Sequence, residues 1–201
     1  MTTRDQLVST IESYSKREDL TTEIETLFIP IAEARMGRDL KSAENEKQLE
    51  VVVTVAAPIP YPDDYGQIRA IDVARTGGAF TLRAIDLHTI NNFNTVDTTD
   101  QGGGPRVYTA ADSAFIIRPQ QTGTFTLFYW SRPSLTSGGA ENAVLDRWLE
   151  LYLYASLVEL HRWELNTEAA AMATQVYQEE IQRINRDAAR ALGDKPAMRL
   201  M

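Results

Sequence analysis

Between Thr124 and Glu159 the chain reads as a strand, a break and a helix. Phe125, Leu127 and Tyr129 alternate with Thr126, Phe128 and Trp130, and then Ser131, Pro133 and Gly138-Gly139 interrupt the pattern. Aromatic residues fall on both faces of this strand, so neither face is expected to be fully wet. In the helix that follows, Val144, Leu145, Trp148, Leu149, Leu151, Tyr152, Tyr154, Ala155 and Val158 cover more than half the circumference. A surface helix needs a single apolar stripe roughly 100° wide. The surplus points to a partner.

Upstream, Thr3-Arg4-Asp5-Gln6 is a capping-box pattern followed by Leu7, Ile11 and Tyr14 at helical spacing, which predicts a helix over 4–15. Thr22-Glu23-Ile24-Glu25 repeats the pattern ahead of Leu27, Phe28, Ile31 and Ala34. Pro30 falls inside this second helix and predicts a kink or two abutting helices rather than one straight rod, ending near Gly37 or Leu40. Alternation then predicts strands over 49–55, 68–74, 79–87, 106–109 and 114–118, before the one at 124–130. Pro58, Pro60 and Pro62 stiffen the first connection, and Thr76-Gly77-Gly78 marks a hairpin. From Thr89 to Pro105 the text is almost free of apolar residues and reads as a long loop, a length that is usually functional or disordered. Beyond the first C-terminal helix, Asn166-Thr167-Glu168 supplies a cap for a second long helix. Val176, Tyr177, Ile181, Ile184, Ala188 and Ala191 repeat along it at near-heptad spacing. Gly193 and Pro196 stop it, and DKPAMRLM forms an extended basic and apolar tail. The expected class is α+β. N-terminal helices occupy 1–40, a β-rich region of about six strands 48–132, and a helical hairpin 141–192, with the tail at 193–201. At 201 residues these are read as one domain.

Composition narrows the chemistry. No cysteine is present, which removes disulfides and thiol chemistry. No apolar run approaches the roughly 20 residues that span a bilayer, and the N-terminus has no secretory pattern. The net charge is −8, carried mainly by 1–50 and 141–192 at −4 each. No basic stripe is available to neutralise phosphates, so tight nucleic-acid binding is not expected; an acidic surface suits a channel that DNA slides past. His88 and His161 stand without a second ligand at metal-site spacing. Gly102-Gly103-Gly104 is followed by Pro105 rather than by Gly-Lys-Ser/Thr, so it is not a phosphate loop. Asp97–Gln101 resembles a calcium loop but lacks its third and twelfth ligands. Asp63-Asp64 reads as a solvated turn. No cofactor is expected.

In their order, these segments resemble a known family, the head-to-tail connector adaptors of short-tailed and related bacteriophages. The resemblance rests on LFIPIAEARMGRDL at 27–40, YPDDYGQIRAIDV at 61–73, GPRVYTAADSAFIIRPQQTGTFTLFYW at 104–130, AENAVLDRWLELYLYASLVELHRW at 140–163, and the AMATQVYQEEIQRINRDAARAL segment after it. The resemblance implies a virion structural protein rather than an enzyme. It would be made in the host cytoplasm and placed at the head–tail junction. There it would form a ring of twelve copies between portal and tail or nozzle protein, with double-stranded DNA passing through the lumen. Portal attachment is expected at Lys195, Met198, Arg199, Leu200 and Met201, and tail contact at Asn91, Asn92, Phe93 and Asn94. Trp148, Tyr152, Tyr154, Tyr177 and Ile181 are the expected subunit interface. The alternatives are a head- or tail-completion protein at a neighbouring position or, remotely, a small metal-dependent enzyme using Asp97 and Asp100.

Overall fold

A computed structural model describes residues 3–75, 78–91, 104–135 and 142–193, the side chains of 191–193 excepted. The chain divides into two compact units. One is helical, built from Met1–Glu46 and Trp130–Met201; the other is β-rich, Lys47–Tyr129. The architecture is α+β, as the alternation of patterns predicts.

In the helical unit, α1 spans Arg4–Ser15. Its capping box forms as read: the Thr3 hydroxyl accepts from the Gln6 amide at 3.3 Å, and the Gln6 side chain accepts from the Thr3 amide at 3.0 Å. A single 3-10 turn over Glu18–Leu20 leads into α2, Thr21–Glu23. The Thr22 box does not cap this helix, which starts earlier and without a side-chain cap. Pro30 acts as expected, but through a wide turn rather than a simple kink. Ile24–Phe28 is π-helical, with the Ile29 amide reaching back five residues to the Ile24 carbonyl, and Pro30 then sits in the first turn of α3, Ile29–Asp39. A proline there has no amide to leave unpaired. Leu40 terminates α3 in an extended conformation.

The helix read over 144–158 is two helices. The α5 segment, Ala143–Arg147, is capped by Asn142, whose carbonyl oxygen accepts from Val144 and Leu145. Trp148 breaks the run at φ −135°, and α6 spans Leu149–Trp163. The last helix, α7, spans Thr167–Gly193, and the Asn166 side chain accepts from the Ala169 amide at 3.1 Å. α6 is the central element, packed by α1, α3 and α7 together. Leu151, Tyr152, Ala155, Val158 and Leu160 of α6 are at most 0% exposed in the core with Leu7, Ile11, Phe28 and Met36. Its apolar surplus is therefore satisfied within its own chain. This corrects the inference that the surplus requires another molecule.

In the β-rich unit the described strands form two four-stranded sheets. The first orders β1 (Glu46–Val53), β8 (Gly123–Ser131), β3 (Tyr65–Arg75) and β4 (Gly78–Thr81). The second orders β2 (Ile59–Pro60), β7 (Ala114–Arg118), β6 (Val107–Ala111) and β5 (Arg83–Ala84). The expected strand over 79–87 is two strands in different sheets. Buried Leu82 lies between them, its amide donating to the Ile71 carbonyl at 2.8 Å. The strand pattern holds only as far as Ala84, since Leu87 already begins a helix, and a period of two carries no information on a change of sheet. A short helix the sequence reading missed, α4 (Leu87–Asn91), follows; Asp86 caps it through the Thr89 amide at 2.8 Å. The hairpin of β6 and β7 turns at Asp112 and Ser113, both with positive φ as a two-residue hairpin loop requires. Ile71, Val73, Phe125, Leu127 and Tyr129 of the first sheet share a core with Ile59, Tyr108, Phe115 and Ile117 of the second. No residue of β8 is exposed, in line with its two-faced aromatic pattern.

Candidate assembly surfaces

Because α6 is enclosed, the residues expected at a subunit interface divide. Tyr152, Tyr177 and Ile181 are buried among the chain's own helices. The Tyr152 hydroxyl donates to Glu33 at 3.3 Å and accepts from Asn142 at 2.6 Å, while the Tyr177 hydroxyl donates to Asp39 at 2.9 Å. The two hydroxyls tie α6 and α7 to α3, and the interface assignment for all three side chains is corrected because they are buried within the chain. Trp148 and Tyr154 are only partly covered and keep surface to offer. The Arg147 guanidinium lies 5.3 Å from the Trp148 ring centre. That ring borders an open cleft of about 270 Å³ with Glu44, Arg183, Ile184 and Asp187.

Two buried polar clusters, neither foreseen in the sequence, organise the helical unit. In the first, Glu33 on α3 accepts from the Leu135 amide at 2.6 Å and from Tyr152. Asn142 completes it, donating to the Ser134 carbonyl at 3.3 Å. Burial pushes the Glu33 carboxyl up to about 7, with the Leu135 amide and the Tyr152 hydroxyl opposing the shift. Burial, with the neighbouring Glu33 charge, pushes the Tyr152 phenol up as well. In the second cluster, Asn45 ties the ends of the unit's two segments. Its carbonyl accepts from the Ser131 amide at 2.7 Å, its Nδ2 donates to the carbonyls of Leu40 and Ser131, and its Oδ1 accepts from Ser42. Glu33 stands between two alanines and Asn45 in the polar run SAENEK, patterns too common to single out. Gly37 packs close by: a Cβ there would lie 2.8 Å from Arg132 Cγ and 3.2 Å from its Cα, so the backbone approach itself needs glycine.

Exposed apolar side chains lie elsewhere than expected. In the helical unit, Leu27 and Ile31 stand one turn apart on a single helix face, and Trp163, Leu165 and Met172 are exposed near the turn between α6 and α7. An open cleft of about 480 Å³ there is lined by His161, Arg162, Leu165, Ala170, Ala171 and Thr174. His161 Nδ1 is 3.2 Å from Glu164, whose other oxygen pairs with Arg17 at 2.6 Å. In the β-rich unit Leu49, Val52, Val55, Phe80 and Leu87 are exposed. Asn91 ends α4 and is exposed; Asn92, Phe93 and Asn94 lie outside the described residues, as do Asp97, Asp100 and the tail residues Lys195, Met198, Arg199, Leu200 and Met201. Among the described residues, no three His, Asp or Glu side chains stand close enough to hold a metal ion, and no helix is long and apolar enough to cross a membrane.

A mixed α+β chain whose polar clusters fasten its own elements, and whose open features are apolar faces and shallow clefts, has the make-up of a subunit that works by packing. The family model for the SU10 adaptor protein matches residues 2–199, and the chain belongs to that family of phage head-to-tail adaptors. Its role is therefore that of a phage structural adaptor, a component of the virion that works with portal and tail components. No curated protein matches the chain.

Proposed function

We propose that this chain is the subunit of a twelvefold ring that joins the portal to the tail or nozzle around the channel for double-stranded DNA. The observation that carries this reading is the family match across 2–199. The net charge of −8 supports it, because an acidic surface repels a duplex that must pass without sticking. The protein acts by assembly, not catalysis. Copies made in the host cytoplasm add to the portal until heterologous contacts between them close the ring. The basic and apolar tail, through Lys195, Met198, Arg199, Leu200 and Met201, is assigned to the portal. The segment from Asn91 through Asn92, Phe93 and Asn94 is assigned to the tail protein, and Trp148 and Tyr154 to the neighbouring subunit.

Electron micrographs of the purified chain mixed with the portal protein of the same phage test this reading. Rings stacked on the portal are expected. A bare portal beside free chain at micromolar concentrations overturns it. Deleting 194–201 should then abolish portal binding while leaving the thermal midpoint unchanged; retained binding removes the tail from the portal contact.

A further inference from the structure

The two sheets of the β-rich unit end differently. The second sheet ends on both sides in two-residue strands, β2 and β5, and β2 carries Pro60, which has no amide to offer. Short edges and edge prolines are the usual devices that stop strands from pairing with other chains. The first sheet lacks them. It ends in β1, eight residues long, and β4, four residues long, with no proline in either. Each of these edge strands presents a row of backbone amides and carbonyls on its outer side, without a partner strand among the described residues.

The side chains at the two edges are unfinished in the same way. Val51 and Val53 of β1 pack against the core, so Leu49, two residues along, belongs to the same face; yet it is 39% exposed. Phe80 of β4 is paired directly with core residue Val73 and therefore shares the core face, yet it is 42% exposed. Each apolar side chain lacks the lateral neighbour that the next strand of a sheet would supply. Val52, on the opposite face of β1, is 64% exposed. β1 carries exposed Lys47, paired with Asp64, and exposed Glu50, while β4 carries no charged residue and its Phe80 ring lies 4.5 Å from the Arg75 guanidinium of β3.

We infer that β1 of one copy pairs with β4 of the next, so that the first sheets of neighbouring subunits join edge to edge. The occupant is a second copy because one chain carries both halves of the contact: two open edges of one sheet and two half-covered core side chains, Leu49 and Phe80, on the same face of it. The contact is heterologous, since β1 and β4 are different surfaces, and repeating it generates a ring if the rotation closes. Main-chain hydrogen bonds supply the pairing, and Leu49 and Phe80 cover one another. The inference rests on the ring reading above and adds which surfaces meet.

The chain contains no cysteine, so introduced thiols are unique. One preparation carries Val52→Cys and another Ala79→Cys; both positions are exposed, so neither change touches the core. The two are mixed with portal protein, treated with a short bis-maleimide, and run on a denaturing gel, with micrographs of the same sample. A covalent dimer that forms in the mixture and is absent from either variant alone supports the pairing. Portal-bound rings with no such dimer overturn edge pairing and leave the ring reading intact. A dimer without portal-bound rings upholds the pairing and overturns the portal reading. Neither rings nor dimer overturns both.

Discussion

The helical and β-rich units treat apolar surface in opposite ways. In the helical unit, α6 carries apolar residues around most of its circumference, and α1, α3 and α7 of the same chain take up nearly all of it. In the β-rich unit the apolar content per strand is ordinary, yet Leu49, Val52 and Phe80 stay exposed because a sheet has ends. A helix can be surrounded; an open sheet has two edges that its own chain leaves bare unless something covers them. The amount of apolar residue in a segment is thus a poor guide to where a molecule has surface left for a partner. The geometry of the element is a better one.

The strongest way to break this comparison is to mutate the enclosed helix. Tyr152 is 0% exposed and holds a hydroxyl between Glu33 and Asn142. Tyr152→Ala removes a large aromatic and leaves a buried carboxyl without one partner. We expect a loss of about 3–5 kcal/mol in urea unfolding of the chain alone. If stability held and only assembly suffered, α6 would be an interface helix after all. Asn45→Ala should cost about 2–3 kcal/mol by the same measurement, since it strips the side-chain bonds to Leu40, Ser42 and Ser131 from a site that is 1% exposed.

A third effect of similar or smaller size is a pH dependence. Burial raises the Glu33 carboxyl from 4.5 to about 7, so the folded chain holds a proton that the unfolded chain releases. The stabilising contribution of this group is complete below the unfolded value near 4.5 and is lost as pH rises through about 7. Thermal or urea unfolding followed over that window should show stability falling with pH, by at most about 3 kcal/mol from this residue. Glu33→Gln should flatten that part of the profile. A profile unchanged by the substitution would show that Glu33 titrates normally and that its site is wetter than its 8% exposure implies.

Much of this fold was legible in the residues themselves. Local signals with a fixed spacing came through: the Thr3 and Asn166 caps, the break before α3 at Pro30, the antiparallel pairing of β3 with β4 and the two-faced strand β8. What failed were inferences that need the third dimension. The single strand expected over 79–87 ends at Ala84 and is split at Leu82, where the chain passes from one sheet to the other. Trp148, Tyr152 and Tyr154 on the over-apolar helix, with Tyr177 and Ile181 on the near-heptad helix, are expected at a subunit interface. Only the packed unit shows that Tyr152, Tyr177 and Ile181 are covered by α3 and by one another's helices. The exposed edge residues escaped notice for the converse reason. Nothing in EKQLEVVV distinguishes an end strand from a middle one, because that depends on sheet order, which here is β1-β8-β3-β4.

The smallest expected effect on the monomer sharpens the comparison most. Leu49→Gln and Val52→Thr replace side chains that are 39% and 64% exposed on an edge strand. Each should change the unfolding free energy of the chain alone by no more than about 0.5 kcal/mol, as surface substitutions usually do. If β1 were simply the rim of a monomer, assembly would be equally indifferent. If it is a joint between copies, the same small losses recur at every contact of a ring, and the concentration needed for assembly should rise severalfold while the denaturation midpoint stays in place. Light scattering across a dilution series, beside urea unfolding of the same preparations, separates these outcomes. A midpoint that falls with the assembly would mean that Leu49 and Val52 support the fold of their own unit, and the contrast between an enclosed helix and an open edge would fail on the β side.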